Sequence, residues 1–135
     1  MQADAANLRE FAVRYTAAWC SQDPASVSAF YSPNGSLTVN NGAPAIGRTA
    51  ITAVAESFMT AFPDMRIVMD DLIMSGNRTE YCWTLTGTNT GPGGAGHRVR
   101  ISGCEVWQMG TDGLIASSHG RFDSSDYQRQ LERGG

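Results

Sequence analysis

The sequence contains no run of about 20 apolar residues, the length that a membrane-spanning helix requires. Residues 1–10 are polar and acidic, whereas a secretory signal peptide begins with basic residues and continues with apolar ones. These two absences predict that the chain does not enter a membrane and that it is cytoplasmic.

Concentrated positive charge is also lacking. The 10 basic residues are scattered along the 135-residue chain and are outnumbered by 13 acidic residues, which gives a formal net charge of -3. Because nucleic-acid binding requires a basic surface patch, we expect no nucleic-acid partner.

Cysteine and histidine are scarce. Cys20, Cys82 and Cys104 form an odd set without metal-ligand spacing, and their apolar or strand surroundings predict buried free thiols rather than disulfides. With two histidines and no close spacing to acidic residues, we predict no metal site. Residues 91–96 match a dinucleotide-binding glycine pattern, but a strand follows instead of a helix, so we expect no cofactor there or elsewhere.

The clearest feature that is present is an alternating segment. Between Thr79 and Leu85, the aromatic and apolar residues Tyr81 and Trp83 alternate with polar ones, which predicts a half-buried strand. Residues 97–101 alternate in the same way after the glycine-rich turn. The two runs therefore predict neighbouring antiparallel strands.

Helices are predicted before this hairpin and further strands around it. Helical spacing of apolar residues indicates helices over residues 7–20, over residues 24–31 with Asp23 as N-cap, and from the cap Thr49 to residue 62. Residues 32–35 are predicted as a turn, and the tail after residue 123 as one helical turn. Strands are predicted over residues 36–39, 66–74, 97–109 and 114–123.

This order of elements predicts one α+β domain over residues 1–135. Three N-terminal helices would cap a strongly curved antiparallel sheet. Such a cone encloses a hollow, which is the expected site for a small ligand.

Five motifs carry a resemblance to a known family. In order and spacing, they resemble the SnoaL-like polyketide cyclase branch of the NTF2-like superfamily, over about residues 8–131. The motifs are residues 46–51 (IGRTAI), 62–64 (FPD), 76–78 (GNR), 83–92 (WTLTGTNTGP) and 112–115 (DGLI). The resemblance implies the NTF2-like cone, on which cyclases, isomerases, epoxide hydrolases and plain binding domains all occur.

The resemblance also implies positions for functional residues. If Asp123 matches the later acid of the last strand, the catalytic aspartate of the family is replaced by Gly120. The partner histidine of the cyclases falls near Glu105, and the oxyanion tyrosine of the ketosteroid isomerases corresponds to Tyr15. The isomerases' base falls at Val39, so their particular chemistry is not expected.

Glu105 and His119 are the candidate acid/base residues. Glu105 shares parity with Val99 and Trp107 on a strand whose apolar face should point inward, where burial would raise the pKa of its carboxyl. The alternative is an outward Glu105 paired with an arginine. His119 and Asp123 share one face of the last strand, and they form an acid/base pair only if that face points inward.

Several aromatic residues are candidates for binding an apolar or aromatic ligand, or for filling the core. Tyrosine and tryptophan need partners for their polar tips when buried, so a cluster around a hollow suits an oxygenated molecule. These residues are Trp19, Tyr31, Phe58, Phe62 and Trp83, together with Tyr15.

The leading prediction is a cofactor-free cyclase or isomerase that acts on a small apolar carbonyl compound. The alternatives are a non-catalytic ligand-binding domain, because Gly120 removes the family's acid, and a purely structural dimerisation domain. Cys82, Thr84 and Thr86 would make the outer sheet face unusually uncharged, which predicts a homodimer through that face.

Overall fold

The computed structural model describes residues 5–134, so residues 1–4, in the polar N-terminal stretch, lie outside this range. In the described part, no helix combines the length and apolar character needed to cross a membrane. The elements are α1 (Ala5–Cys20), α2 (Pro24–Ser28), β1 (Tyr31–Val39), β2 (Ala45–Ile46), α3 (Arg48–Ala61), β3 (Arg66–Ser75), β4 (Arg78–Thr88), β5 (Arg98–Met109), β6 (Ile115–Phe122) and α4 (Ser124–Arg133).

Six strands form one curved sheet in the order β2-β1-β6-β5-β4-β3. Strands β3 to β6 form the predicted antiparallel meander, while β1 runs parallel to β6. Helix α1 packs on β3, and α3 packs on β1 and α2. The predicted α+β cone with three N-terminal helices is therefore confirmed.

The alternation of β4 decides which side chains enter the core. Thr79, Tyr81 and Leu85 are buried on the inner face, as the sequence predicts. The antiparallel register places Tyr81 opposite Glu105 and Cys82 opposite Cys104. Glu105 consequently lies on the inner face of β5.

The region around Tyr31 differs from the prediction. Helix α2 ends at Ser28, and Tyr31 begins β1 as a fully buried residue that pairs with Ile115. The predicted turn over residues 32–35 is part of this strand, which passes β6 with a shift in register. Gly35 permits the close approach, because a Cβ there would lie 2.9 Å from the carbonyl oxygen of Ile115.

Two predicted helix caps also need correction. Thr49 lies inside α3, whose N-cap is Gly47. Asp23 does occupy the N-cap position of α2, but its side chain makes no capping hydrogen bond. Proline at the first turn and packing against α3 therefore define this short helix.

The tail is a ten-residue helix, α4, rather than a single turn. The Asp123 carboxylate caps it by accepting a hydrogen bond from the Asp126 N–H at 3.0 Å. The buried Gln130 amide bonds to both backbone groups of Arg100, at 2.6 and 2.9 Å. It thus satisfies the part of β5 that extends beyond the end of β6.

The expectation of three free thiols is wrong. Cys82 and Cys104 form a disulfide across β4 and β5 on the outer face, and Cys20 is an exposed free thiol. Disulfides persist mainly in oxidising compartments, so this bond weighs against a cytoplasmic location, and the compartment stays a prediction.

The outer sheet face also carries more charge than expected. Thr84 bonds to Asp70 and Ser102, and Arg100 lies opposite Thr86. Arg121 lies opposite Cys104. The face is therefore a mixture of hydroxyl, apolar and charged side chains.

Candidate functional site

An apolar cavity lies between α1, α3 and the inner face of the sheet. Its aliphatic lining comes from Leu37, Val39, Val54, Ile67 and Leu85. Its aromatic lining comes from Trp19, Phe58, Tyr81, Trp83 and Phe122. The cavity has a volume of about 60 Å³ and opens to solvent at its mouth.

Glu105 provides the one carboxyl group among the residues that line this cavity, and it is 7% exposed. Its Oε1 atom accepts three hydrogen bonds: from the Tyr15 hydroxyl at 2.9 Å, the Trp107 indole at 3.0 Å and the Ser118 hydroxyl at 2.7 Å. A carboxylate that receives this many donors is fixed in orientation. All three of these bonds end on the same oxygen atom.

Tyrosines extend this hydrogen-bond network into the core. Because the Tyr15 proton is donated to Glu105, the Tyr31 hydroxyl must donate to the Tyr15 oxygen, at 2.9 Å. Burial, and then the charge of Glu105, raises the pKa of both phenols well above the usual value. Both groups therefore keep their protons and remain donors.

Two opposing effects act on the pKa of Glu105. Burial raises the pKa above its ordinary value of 4.5, and the hydrogen bonds from Trp107, Ser118 and Tyr15 counteract part of that rise. The pKa stays raised, so the carboxyl can exchange a proton nearer to neutral pH than an exposed glutamate does.

Gly120 lies directly opposite Glu105 in the β5–β6 register and lines the cavity. A Cβ atom at Gly120 would lie 3.5 Å from the Glu105 Cγ, which is ordinary van der Waals contact. The position to which the resemblance assigns the family's aspartate therefore faces the cavity but carries no side chain.

Two tryptophans that line the cavity have buried indole N–H groups without a hydrogen-bond partner in residues 5–134. In the described part of the chain, the Nε1 atoms of Trp19 and Trp83 are buried without a hydrogen bond. The rings of Trp19 and Tyr15 are in edge contact with centroids 6.4 Å apart, but the Trp19 N–H makes no hydrogen bond to the phenol. The Trp83 ring packs over Gly103, where a Cβ would come within 2.7 Å of it.

His119 and Asp123 lie away from the cavity. Ser118 and Gly120 point inward on β6, so His119 points outward and is exposed beside Arg78 and Arg121. Asp123 caps α4. The inward register that an acid/base pair of these two residues requires is absent, which corrects that alternative.

The predicted ligand-binding aromatics divide into two groups. Trp19, Phe58 and Trp83 line the cavity. Tyr31 and Phe62 are fully buried in the core and are not among its lining residues.

Sequence reasoning missed Ser118 and Tyr81 as parts of the site. Ser118 donates to Glu105, while the Tyr81 ring lines the cavity and its hydroxyl bonds to Thr16. The inward parity of Tyr81 was visible in the sequence, but that of Ser118 depends on the strand register. Within residues 5–134, no group of three His, Cys, Asp or Glu residues is placed to hold a metal ion.

The chain matches the SnoaL-like domain family over residues 12–118 and belongs to that family. Among proteins of curated function, none matches the sequence significantly. The curved sheet with its helices is thus an NTF2-like domain, and the cavity lies inside its cone.

Solved structures share this fold at low sequence identity. A putative SnoaL-like polyketide cyclase from a Jannaschia species is 13% identical, with 100% of this chain and 99% of that chain covered, at a TM-score of 0.83. A Catenulispora acidiphila protein with a ketosteroid isomerase-like fold, in complex with trimethylamine, is 14% identical. The match covers 91% of this chain and 92% of that chain at a TM-score of 0.80. SalBIII, an epoxide hydrolase/cyclase-like enzyme with a role in pyran ring formation in the polyether salinomycin, is 20% identical. The match covers 91% of this chain and 95% of that chain at a TM-score of 0.78.

Proposed function

We propose that this domain performs cofactor-free acid/base chemistry, as a cyclase or isomerase, on a small apolar carbonyl compound. The observation that carries the proposal is the Glu105 carboxyl group at the wall of an otherwise apolar cavity. Its raised pKa and fixed orientation are properties of a general base.

In this mechanism, ionised Glu105 removes a proton from the carbon next to the ligand's carbonyl group. The C–H electron pair moves into the new C=C bond, and the carbonyl oxygen becomes an enolate. For isomerisation, Glu105 returns the proton to a different carbon. For cyclisation, the enolate carbon attacks a second carbonyl of the same molecule, and the resulting alkoxide takes the proton from Glu105.

The enolate oxygen needs a hydrogen-bond donor at the cavity wall. The Tyr15 hydroxyl already donates its hydrogen bond to Glu105 and is not free for the ligand, so Tyr15 is a positioning residue. The Tyr81 hydroxyl is bonded to Thr16, whose own hydroxyl donates to a backbone carbonyl. Trp19 and Trp83 line the cavity and their N–H groups lack a partner among the described residues, so the mechanism requires one of these indoles to turn its N–H toward the enolate oxygen.

Two of the similar structures support a cyclase. The Jannaschia protein is described as a putative SnoaL-like polyketide cyclase, and SalBIII as an epoxide hydrolase/cyclase-like enzyme. For this chain, a single carboxyl at the cavity favours enolate chemistry over epoxide hydrolysis, which would need an Asp-Arg-Asp cluster around one water.

The second candidate is a ligand-binding domain without catalysis. It is favoured by Gly120, which leaves the cavity without the acid that the resemblance expects. The Catenulispora protein, with a bound trimethylamine, is an example of a relative with a small ligand. A purely structural dimer does not account for the open cavity with a carboxyl group in its wall, so it ranks third.

Isotope exchange tests the proposal. In D₂O, the protein should accelerate loss of the protons next to the carbonyl of 2-tetralone, a small apolar ketone, as followed by NMR. Because the base must be ionised, the rate should rise with pH, with its midpoint above 4.5. The outer-face variant His119→Gln should behave as the wild type. Binding of 2-tetralone without faster exchange would favour the ligand-binding alternative.

A homodimer through the outer sheet face is a further part of the proposal. Exposed Val68 and Ile73 lie on this face beside the Cys82–Cys104 disulfide. We expect a dimer mass in analytical ultracentrifugation, and Val68→Glu should shift the equilibrium toward monomers because it places like charges on the paired faces. A monomer at high micromolar concentration would contradict the dimer.

A further inference from the structure

Gly120 differs from the other glycines of this chain. Every other glycine that the structure describes either has a positive φ or would place a Cβ at 3.1 Å or less from a neighbouring atom, so the local structure favours glycine there. Gly120 has neither property, although it lies inside β6, where glycine weakens a strand. A strand glycine that the backbone does not need, in the wall of a cavity, marks a place where another group approaches the chain closely.

The space that a side chain at Gly120 would fill adjoins the carboxyl group of the cavity. A Cβ there would lie 3.5 Å from the Glu105 Cγ and 3.7 Å from the Thr38 carbonyl oxygen. Apart from the chain neighbours of Gly120, no other described atom lies within 4 Å of this position. It can therefore hold a methyl group without strain. Two bonds separate the Glu105 Cγ from the carboxylate oxygens, so this space lies next to the proposed base.

The Glu105 carboxylate has one oxygen left for a ligand. The hydrogen bonds from Tyr15, Trp107 and Ser118 all end on Oε1, and no residue in the range 5–134 donates to Oε2. Oε2 is not one of the fully buried polar atoms that lack a partner, so it keeps some accessible surface. Because Glu105 lines the cavity, Oε2 is the oxygen that meets the ligand.

We propose that Gly120 determines ligand specificity: the ligand carries an additional carbon substituent on its reacting carbon, and this substituent occupies the space beside Gly120 while the Glu105 Oε2 takes the proton. The C–H electron pair passes to the enolate, and the proton forms an O–H bond with Oε2. This inference rests on the proposed function. It deepens that proposal by naming the class of substrate, a ketone that is branched next to its carbonyl group.

The surroundings of the space select carbon over a polar group. One neighbour is the Cγ methylene of Glu105, and the Thr38 carbonyl oxygen at 3.7 Å is too far to accept a hydrogen bond from a hydroxyl in the same position. A buried hydroxyl without a partner is costly, whereas a methyl group gains free energy by leaving water. An apolar substituent is therefore the group that this space accepts.

Two isomeric ketones test the inference by binding alone. 2-Methylcyclohexanone carries its methyl group on the carbon next to the carbonyl, while 4-methylcyclohexanone has the same composition with the methyl group on the far side of the ring. We expect the wild type to bind the 2-methyl isomer about fourfold more tightly in NMR titrations, which corresponds to one buried methyl group. Gly120→Ala fills the space, so the ratio of the two affinities should fall to about one.

Proton exchange gives a second measure within a single molecule. 2-Methylcyclohexanone has exchangeable protons at C2, which bears the methyl group, and at C6, which does not. In D₂O, the wild type should raise the ratio of exchange at C2 to exchange at C6 about fourfold above the ratio in buffer alone. Gly120→Ala should return this ratio to the buffer value. A ratio within one compound does not depend on how much of the variant is folded.

Ser117→Ala is the matched control. Ser117 lies in the same strand but faces outward beside His119, so its replacement should keep the preference of the wild type. Gly120→Ala should unfold at the same temperature as the wild type or higher, because alanine fits the position and restricts the unfolded chain. A lower unfolding temperature would show that the fold itself needs this glycine and would overturn the inference.

The outcomes separate this inference from the proposed function. Equal binding of the two isomers by the wild type, or a preference that Gly120→Ala leaves in place, would overturn the inference even if proton exchange is fast. A preference that Gly120→Ala removes, without any proton exchange, would keep the branched ligand and remove the catalytic proposal. Failure of both isomers to bind would overturn the inference, and exchange of 2-tetralone would then decide the proposed function by itself.

Discussion

Replacing Glu105 by glutamine is expected to lower the rate of proton exchange in 2-tetralone by a factor of about 10² to 10⁴, the usual contribution of a general base. The amide has nearly the same shape, and its carbonyl oxygen can still accept from Tyr15, Trp107 and Ser118. It cannot take up a proton at neutral pH. Exchange measured by NMR at several pH values should therefore also lose its rise with pH.

A matched variant on the outer face provides the control. Glu80 lies opposite Val106 on the outer side of β4, so Glu80→Gln makes the same chemical change away from the cavity and should leave exchange unchanged. Glu105→Gln should remain folded. Folding raises the pKa of the Glu105 carboxyl, so ionisation of this group lowers the stability of the fold as pH rises through the folded pKa. The neutral amide of glutamine does not ionise and avoids this cost. A rate for Glu105→Gln within threefold of the wild type would contradict the mechanism.

Periodicity explains why most of the fold could be predicted. Tyr81 and Leu85 point inward because β4 is regular from end to end. Strand β3 is predicted as a strand, but its sequence does not show which face points inward. Asp70 and Asp71 fall where the register shifts opposite Cys82, so the parity of the strand changes in mid-strand. A bulge of this kind has no local signature in an alternating pattern.

Tyr31 shows a different limit. It continues the apolar spacing of α2, so the sequence alone places it in the helix. In the structure its backbone is drawn into β1 by pairing with Ile115, a residue that is far away in the sequence. Non-local pairing of this kind overrides local helical spacing.

The site could be predicted in part for the same reasons. Glu105 shares its parity with Val99 and Trp107, so its inward position follows from β5 alone. Strand β6 is polar and small on both faces, and one residue of slip exchanges Ser118 with His119. The disulfide likewise depends on Cys82 lying directly opposite Cys104, which the long glycine-rich loop hides from a reading of the sequence.

Tyr15→Ala is expected to lower the free energy of unfolding by about 5 kcal/mol, from the loss of a large buried side chain and its hydrogen bonds. The ring is fully buried, and its centroid lies within 5.6 Å of the ring centroids of Tyr81, Trp107 and Phe30. Urea unfolding at 25 °C measures the change. Val13→Ala, at an exposed position of the same helix, should change stability by less than about 0.5 kcal/mol.

Tyr15→Phe separates positioning from packing. It keeps the ring and removes the hydroxyl that donates to Glu105, so the loss of stability should be about 1–3 kcal/mol. Because this hydrogen bond lowers the pKa of Glu105, its removal should move the midpoint of the exchange rate to higher pH. A variant that is destabilised with an unchanged midpoint would mean that Tyr15 only fills the core. A shifted midpoint would show that the phenol acts through its hydrogen bond to the Glu105 carboxylate, because phenylalanine keeps the ring and with it the burial that also raises the pKa of Glu105.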